Sequence, residues 1–236
     1  MKQKVLFGTL ALLVGSLMAA NAAPKDDVSA AAKKLADKDN YSWKQKTENA
    51  GGGGFGGGAS EGKVEKDGCL WVSMTMRDNT IEAVKKGDKG AIKTEDGWKS
   101  ISEATSGDPG PATFLARRLQ TFKAPAAQVE DLTGKVKELK QEEGVYAGEL
   151  TEEGAKSQLM FGGRGGANGP EVSGAKGAVK FWVKDGNLTK FEYHVTGTIS
   201  FNGNDRPIDR TVTVEISDVG STKIAVPEDA KKKLES

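Results

Sequence analysis

The chain has 236 residues, in which 34 lysines and arginines nearly balance 33 aspartates and glutamates for a formal net charge of +1. The two signs are interleaved, so no basic stripe favours nucleic acid as a partner. Cys69 is the one cysteine and excludes an internal disulfide, and His194 is the one histidine. A single histidine leaves little from which to build a histidine metal site or a Ser-His-Asp triad. We therefore expect neither an enzyme nor a bound cofactor.

The first 22 residues have the three-part layout of a secretory signal peptide. Lys2 and Lys4 form a basic head, residues 5–19 are apolar, and Ala20-Asn21-Ala22 supplies the small residues of a cleavage site. A membrane anchor is the alternative, but the apolar run is shorter than the ~20 residues of a spanning helix. No cysteine stands at the cleavage site, where one could carry a lipid. We expect cleavage after Ala22, no membrane span in the mature chain, and a periplasmic or secreted location.

One helix and then a run of short strands are predicted after the leader. Residues 28–36 place Val28 and Leu35 on one helical face, and from Tyr41 the hydrophobic period changes to two. Alternation continues to Ile101, interrupted by Asp-Gly pairs that are typical of tight turns. This stretch predicts an antiparallel meander of roughly four to six strands.

Helices and short strands are predicted for the middle of the chain. Residues 112–122 form an amphipathic helix whose apolar stripe is Phe114, Leu115, Leu119 and Phe122. A further turn or two of helix covers 126–132, and strand character returns at 136–140 and 145–150. Thr151, followed by two glutamates, predicts the N-cap of another helix that reaches about Met160.

The last third predicts three strands in sequence, at 177–184, 188–201 and 210–217, because their apolar residues are mostly two apart. A C-terminal helix with Pro227 in its first turn follows. Two glycine-rich segments, 51–58 and 162–169, interrupt the pattern and are expected to be flexible hairpin tips or disordered loops.

The first glycine-rich segment formally contains G-x-G-x-x-G at Gly51, Gly53 and Gly56. That fingerprint binds a dinucleotide only when a helix follows it, because the helix N-terminus holds the pyrophosphate. Here a strand-like run follows instead. We interpret the match as a chance result of glycine repetition.

Aromatic residues concentrate in the predicted strands, and they leave two interpretations open. An antiparallel sheet with one apolar face must cover that face. The few short helices either close a packed core over it or enclose an apolar cavity with it.

Two segments resemble the LolA/LolB lipoprotein-carrier superfamily and its relatives LppX and LprG. Residues 179–190 (VKFWVKDGNLTK) are similar to that group's strand–Asp-Gly–strand hairpin, and residues 212–219 followed by Ile224-Ala-Val226-Pro227 are similar to its last strand and ending. The resemblance implies an α+β fold in which a strongly curved antiparallel sheet, a half-barrel, wraps over a few short helices. It also implies an apolar cavity for acyl chains within a single domain over 23–236.

The leading hypothesis is therefore an exported, soluble, monomeric envelope protein that binds lipid or lipoprotein acyl chains without catalysis, cofactor or metal. The alternative is a periplasmic protein–protein interaction or scaffold domain with a filled core. The residues expected to line a cavity are the strand aromatics and the stripe of the central helix: Trp43, Trp71, Trp98, Phe114, Leu115, Leu119, Phe122, Trp182, Phe191 and Tyr193.

Export makes the first testable prediction. If the leader is cleaved at its Ala-x-Ala site, the mature protein begins at Ala23 or within a residue or two of it. Mass analysis of the N-terminal peptide from an envelope fraction measures this, and an intact Met1 there would contradict export by cleavage.

Overall fold

A computed structural model describes residues 23–50, 58–76, 79–107, 110–160, 170–201 and 203–235. The predicted leader and nearly all of both glycine-rich segments fall outside these ranges, so those expectations stay predictions.

The predicted meander forms the N-terminal half of the sheet. Asp-Gly and Gly-Asp turns join several of its strands, and each strand pairs antiparallel with the next. In the described part of the chain it has six strands: β1 (Asn40–Asn49), β2 (Gly58–Glu65), β3 (Cys69–Met76), β4 (Asn79–Lys86), β5 (Lys89–Thr94) and β6 (Gly97–Ser100).

The C-terminal half of the sheet begins with a short hairpin and continues with three long strands. These are β7 (Lys140–Glu142), β8 (Val145–Glu149), β9 (Glu171–Lys184), β10 (Asn187–Phe201) and β11 (Asn204–Ser217). β9 and β11 each begin six residues before the predicted strands, since their polar ends also pair, and β10 begins one residue before its predicted strand.

The two halves join through β1, which pairs with β2 on one side and with β11 on the other. The described strands thus form one open antiparallel sheet of eleven strands, in the order β6-β5-β4-β3-β2-β1-β11-β10-β9-β8-β7. With the helices that it wraps over, this confirms the predicted α+β class with a curved half-barrel sheet.

The helices of the described ranges are α1 (Pro24–Ala36), α2 (Ile101–Ser106), α3 (Pro111–Gln120), α4 (Pro125–Gly134), α5 (Glu152–Leu159) and α6 (Glu228–Glu235). Thr151 caps α5 as predicted, since its Oγ1 accepts a hydrogen bond from the Gly154 amide at 3.0 Å. Helix α2 was not predicted. Ser100 and Glu103 form a capping box at the end of β6. The helix therefore begins at Ile101, which alternation had assigned to the strand.

The two faces of the sheet differ in what covers them. We call the face covered by α1 to α5 the inner face; it carries Trp43, Val72, Ile92, Phe191 and Val214, which belong to one buried hydrophobic cluster with residues of those helices. The other, outer face is covered over β4 to β6 by α6, whose Ala230 is fully buried.

Trp43 lies at the centre of the inner face. It is 2% exposed and pairs across the strands with Gly62 of β2. The indole covers Gly62 so closely that a β-carbon there would overlap the ring. Glycine is therefore needed at this position to leave room for the tryptophan.

This close approach makes a second prediction. Gly62→Ala should lower the free energy of unfolding by about 1–3 kcal/mol, because an added methyl strains a filled core. The matched control is Gly134→Ala at the end of α4, where a β-carbon meets no atom within 4 Å. There the change should stay below about 1 kcal/mol. Urea unfolding of both variants measures the difference, and equal midpoints would contradict the close packing.

Candidate functional site

A pocket of about 320 Å³ opens between α3, α4 and α5 and the inner face of β1 and β10. Part of its wall is apolar, and the rest carries amide, hydroxyl and charged groups. We call it the inner pocket; its lining residues are Gln45, Arg118, Thr121, Phe122, Lys123, Gln128, Asp131, Leu132, Lys135, Ser157, Gln158, Met160 and Tyr193.

Aromatic contacts fix the floor of the inner pocket to the sheet. The Phe122 ring stacks on Trp43 with centroids 5.9 Å apart and an angle of 22° between the planes. Tyr41 also packs against Trp43, with ring centroids 6.1 Å apart. The Tyr41 hydroxyl accepts a hydrogen bond from the Ala126 amide at 3.4 Å, where α4 has no side-chain cap of its own. Burial raises the pKa of Tyr41 to about 12, so the hydroxyl stays neutral at physiological pH.

Two lysines engage the one carboxylate among the described lining residues. Lys135 and Lys123 lie 2.9 Å and 3.1 Å from the oxygens of Asp131. Burial alone would raise the pKa of Asp131, but the hydrogen bonds from the lysines outweigh it, and the pKa lies below its usual range. Asp131 is therefore ionised and already neutralised at this rim.

Two arginines, one on α3 and one on β11, lie near Tyr193. Arg118 comes from α3 and lines the pocket, and Arg210 comes from β11, is 2% exposed, and donates through a guanidinium nitrogen to the carbonyl of Gln158. Desolvation lowers the pKa of both guanidinium groups, and the charge of Arg118 lowers that of Arg210 further. Burial raises the pKa of the Tyr193 phenol, which the two arginines partly oppose.

The two leucines of the predicted apolar stripe belong to packed core rather than to the pocket. Leu115 and Leu119 are each 1% exposed. Leu119 packs against Gly90 of β5, where a β-carbon would lie 3.2 Å from a Leu119 methyl. Phe114, on the same helix, is 36% exposed.

The ten expected cavity residues therefore separate in the fold. Six lie on the inner side: Trp43, Leu115, Leu119, Phe122, Phe191 and Tyr193. Of these, Phe122 and Tyr193 line the inner pocket, and the stack on Phe122 brings Trp43 directly beneath it.

The other three tryptophans face away from α1 to α5, on the outer face of the sheet. Trp71 lies between core residues Leu70 and Val72 along β3, so strand alternation puts it on the outer face. Trp98 pairs with Lys93, which neighbours the inward Ile92, and Trp182 follows the inward Phe181. Lys63 lies 5.4 Å from the Trp71 ring centroid and Lys190 4.6 Å from that of Trp182. These are partly solvated cation–π contacts of the outer surface.

The outer face also carries a groove of about 1150 Å³ along β8 to β10. Lysines and glutamates alternate along its walls beside Trp182, and His194 lies in it with Nε2 2.8 Å from a carboxylate oxygen of Asp209. Side chains of both signs there remain largely hydrated, so the groove has the character of a solvated surface rather than of a ligand pocket.

Sequence reasoning missed the polar members of the inner pocket. Arg118 stands in a helix where only the apolar stripe was considered. Arg210 could have been found, since it continues the inward alternation of Val212 and Val214 on β11.

No family model and no curated protein matches the chain. Among solved structures it is similar to LprF from Mycobacterium bovis at 12% identity, covering 88% of this chain and 97% of that one with a TM-score of 0.47. It is similar to the lipoprotein LppX from Mycobacterium tuberculosis at 11% identity over 85% and 97%, with a TM-score of 0.49. The LolA superfamily protein NE2245 from Nitrosomonas europaea matches at 9% identity over 86% and 96%, with a TM-score of 0.33.

LppX and a LolA superfamily protein, both named in the resemblance from the sequence, are thus among the solved structures to which the chain is similar. Within the described ranges no helix is both long and apolar enough to cross a membrane. The same ranges contain no cluster of three or more histidine, cysteine or acidic side chains suited to a metal ion.

Leu119 gives a test of how completely this part of the interior is filled. Leu119→Ala should cost about 2–5 kcal/mol of unfolding free energy, because transfer and cavity terms add in packed core. The control, Phe114→Ala on the exposed side of the same helix, should change it by less than about 0.5 kcal/mol. Chemical denaturation measures both, and a loss below the stated range for Leu119→Ala would reveal a void beside α3.

Proposed function

We propose that this chain is a non-catalytic binding protein of the cell envelope, exported to the periplasm or secreted, that takes an apolar chain of a lipid or lipoprotein into the inner pocket. One observation carries the proposal. The sheet and helices leave an opening in which Phe122, Leu132, Met160 and Tyr193 face one space, directly above the Trp43 stack.

The size of the opening supports a small guest, and the apolar part of its wall supports a hydrocarbon chain. Its volume of about 320 Å³ is at the lower end of the ~300–1,000 Å³ common for ligand sites. Burial of a hydrocarbon chain contributes on the order of 0.8 kcal/mol per CH₂ group. Measurable binding would thus need many buried methylenes, and it would stay reversible, as a carrier requires.

A scaffold domain with a filled core is the second candidate. The specific observation in its favour is the complete burial of Leu115, Leu119 and Phe191, three residues expected to line a cavity. In that case, the inner pocket would be a surface indentation, and partners would bind elsewhere on the molecule.

Filling the inner pocket separates the two candidates. Met160→Trp adds an indole at the pocket wall and should weaken binding of Nile red, a neutral apolar dye, at least tenfold, because it occupies the space of the guest. Phe114→Trp adds the same ring at an exposed position outside the pocket, and it should leave the affinity within twofold of the parent.

Fluorescence titration gives these affinities, and native mass spectrometry of the purified chain should reveal a co-purified lipid that Met160→Trp loses. A parent protein that binds neither dye nor lipid would remove the carrier proposal in favour of the scaffold. Equal effects of the two tryptophan variants would show that the guest binds elsewhere.

A further inference from the structure

Hydrogen bonds tie the walls of the inner pocket to one another. Lys135, at the C-cap of α4, donates to Asp131 of α4 at 2.9 Å and to Ser157 of α5 at 3.1 Å. The Arg210 guanidinium of β11 donates to the carbonyl of Gln158, which is also in α5. Helix α5 is therefore joined to α4 on one side and to the sheet on the other, and these bonds limit how far the opening can widen.

Stacked aromatic rings close the floor of the pocket. Phe122 lines the pocket and stacks on Trp43, which is 2% exposed. Trp43 in turn packs on Gly62, where even a β-carbon would overlap the indole. A close-packed interior resists the insertion of further groups, so a guest does not displace these rings downward. The space open to a guest thus ends at the Phe122 ring.

The volume between this floor and these walls suits one short hydrocarbon chain. A methylene group has about the size of a water molecule, whose share of liquid volume is roughly 30 Å³. The inner pocket, of about 320 Å³, therefore holds about ten methylene groups. A second chain, or the part of a chain beyond that length, would stay in water.

We propose that the inner pocket takes one unbranched chain of about ten carbons and that Phe122 is the residue at which the chain stops. The inference rests on the proposed function and names the size class of the guest at the same site. That guest is a single-chain amphiphile or one acyl chain of a larger lipid, never two chains together. Affinity grows with each methylene that leaves water, so it should rise with chain length only until the chain reaches Phe122.

The first test measures displacement of Nile red by the 1-alkanols from hexanol to tetradecanol, each below its solubility limit. Their shared hydroxyl is uncharged, so differences in affinity report on the chain alone. In the parent, each added carbon should strengthen binding about threefold to fourfold as far as decanol. Dodecanol and tetradecanol should then bind within about twofold of decanol, because their additional carbons remain hydrated.

Monooctanoylglycerol and dioctanoylglycerol test the number of chains. Each octanoyl chain is shorter than the expected limit, so length does not restrict either ligand. The second chain should change the affinity by less than about threefold if it stays outside. A pocket that held both chains would bind dioctanoylglycerol more than about a hundredfold more tightly.

Substitutions at the floor then test the role of Phe122. Phe122→Ala removes the ring above Trp43, and the affinity should level off at a chain at least about two carbons longer, because the freed space joins the pocket. Phe114→Ala is the matched control, since it removes the same ring from an exposed position of α3 that does not line the pocket. Its affinities should level off at the same alkanol as those of the parent.

The outcomes separate the two levels of the proposal. Affinity that rises by the same factor per carbon through tetradecanol, or a hundredfold gain from the second octanoyl chain, overturns the single-chain limit and leaves the carrier standing. Equal limits in Phe122→Ala and Phe114→Ala overturn the role of Phe122. Absence of binding by Nile red and every alkanol alike overturns the carrier itself. If Phe122→Ala does not fold, Phe122→Trp decides, because its larger ring should shorten the limit by about one carbon, and an unchanged limit would overturn the role of Phe122.

Discussion

The contact between Trp43 and its neighbours is the constraint on which the rest of the interior depends. β1 is the one described strand that joins the meander to the C-terminal strands, and Trp43 projects from it onto the inner face. Its ring is held between Gly62 below and Phe122 beside it. Because Phe122 follows α3 directly, and Tyr41 holds the start of α4 through the Ala126 amide, this cluster determines where two helices meet the sheet. The gap between those helices and α5 is what remains as the inner pocket.

The interior therefore changes character along the sheet. Over β4 and β5, Leu119 of α3 packs against Gly90 and is almost fully buried there. Over β1 and β10, the helices stand apart, and polar side chains enter between them. The two interpretations of the aromatic strands, packed core or cavity, were framed as exclusive. The inner face instead has both a buried cluster and an opening, in different regions, because short helices cannot cover the whole of a wide curved face.

The sequence predicted most elements because periodicity and turn chemistry act locally. Alternating hydrophobicity and Asp-Gly turns were enough to predict the meander, and Thr151 was enough to predict where α5 begins. The site was harder. Six of the expected cavity residues do lie on the inner side of the sheet. Trp71, Trp98 and Trp182 were included only because they are aromatic. Since Leu70 and Val72 both point inward, strand alternation already places Trp71 on the outer face. The pairing of helices with strands depends on contacts between residues far apart in sequence. The local hydrophobic pattern therefore could not predict that Arg118 lies near Tyr193 and Arg210. Helix α2 was not predicted, because the capping box at Ser100 begins a helix where alternation alone indicated a strand.

An arginine beside an apolar pocket has a cost that bears on function. Desolvation lowers the pKa of Arg118 and so opposes its charged form, and a second buried guanidinium nearby adds to that cost. Apolar burial supplies affinity in proportion to chain length but discriminates poorly among headgroups.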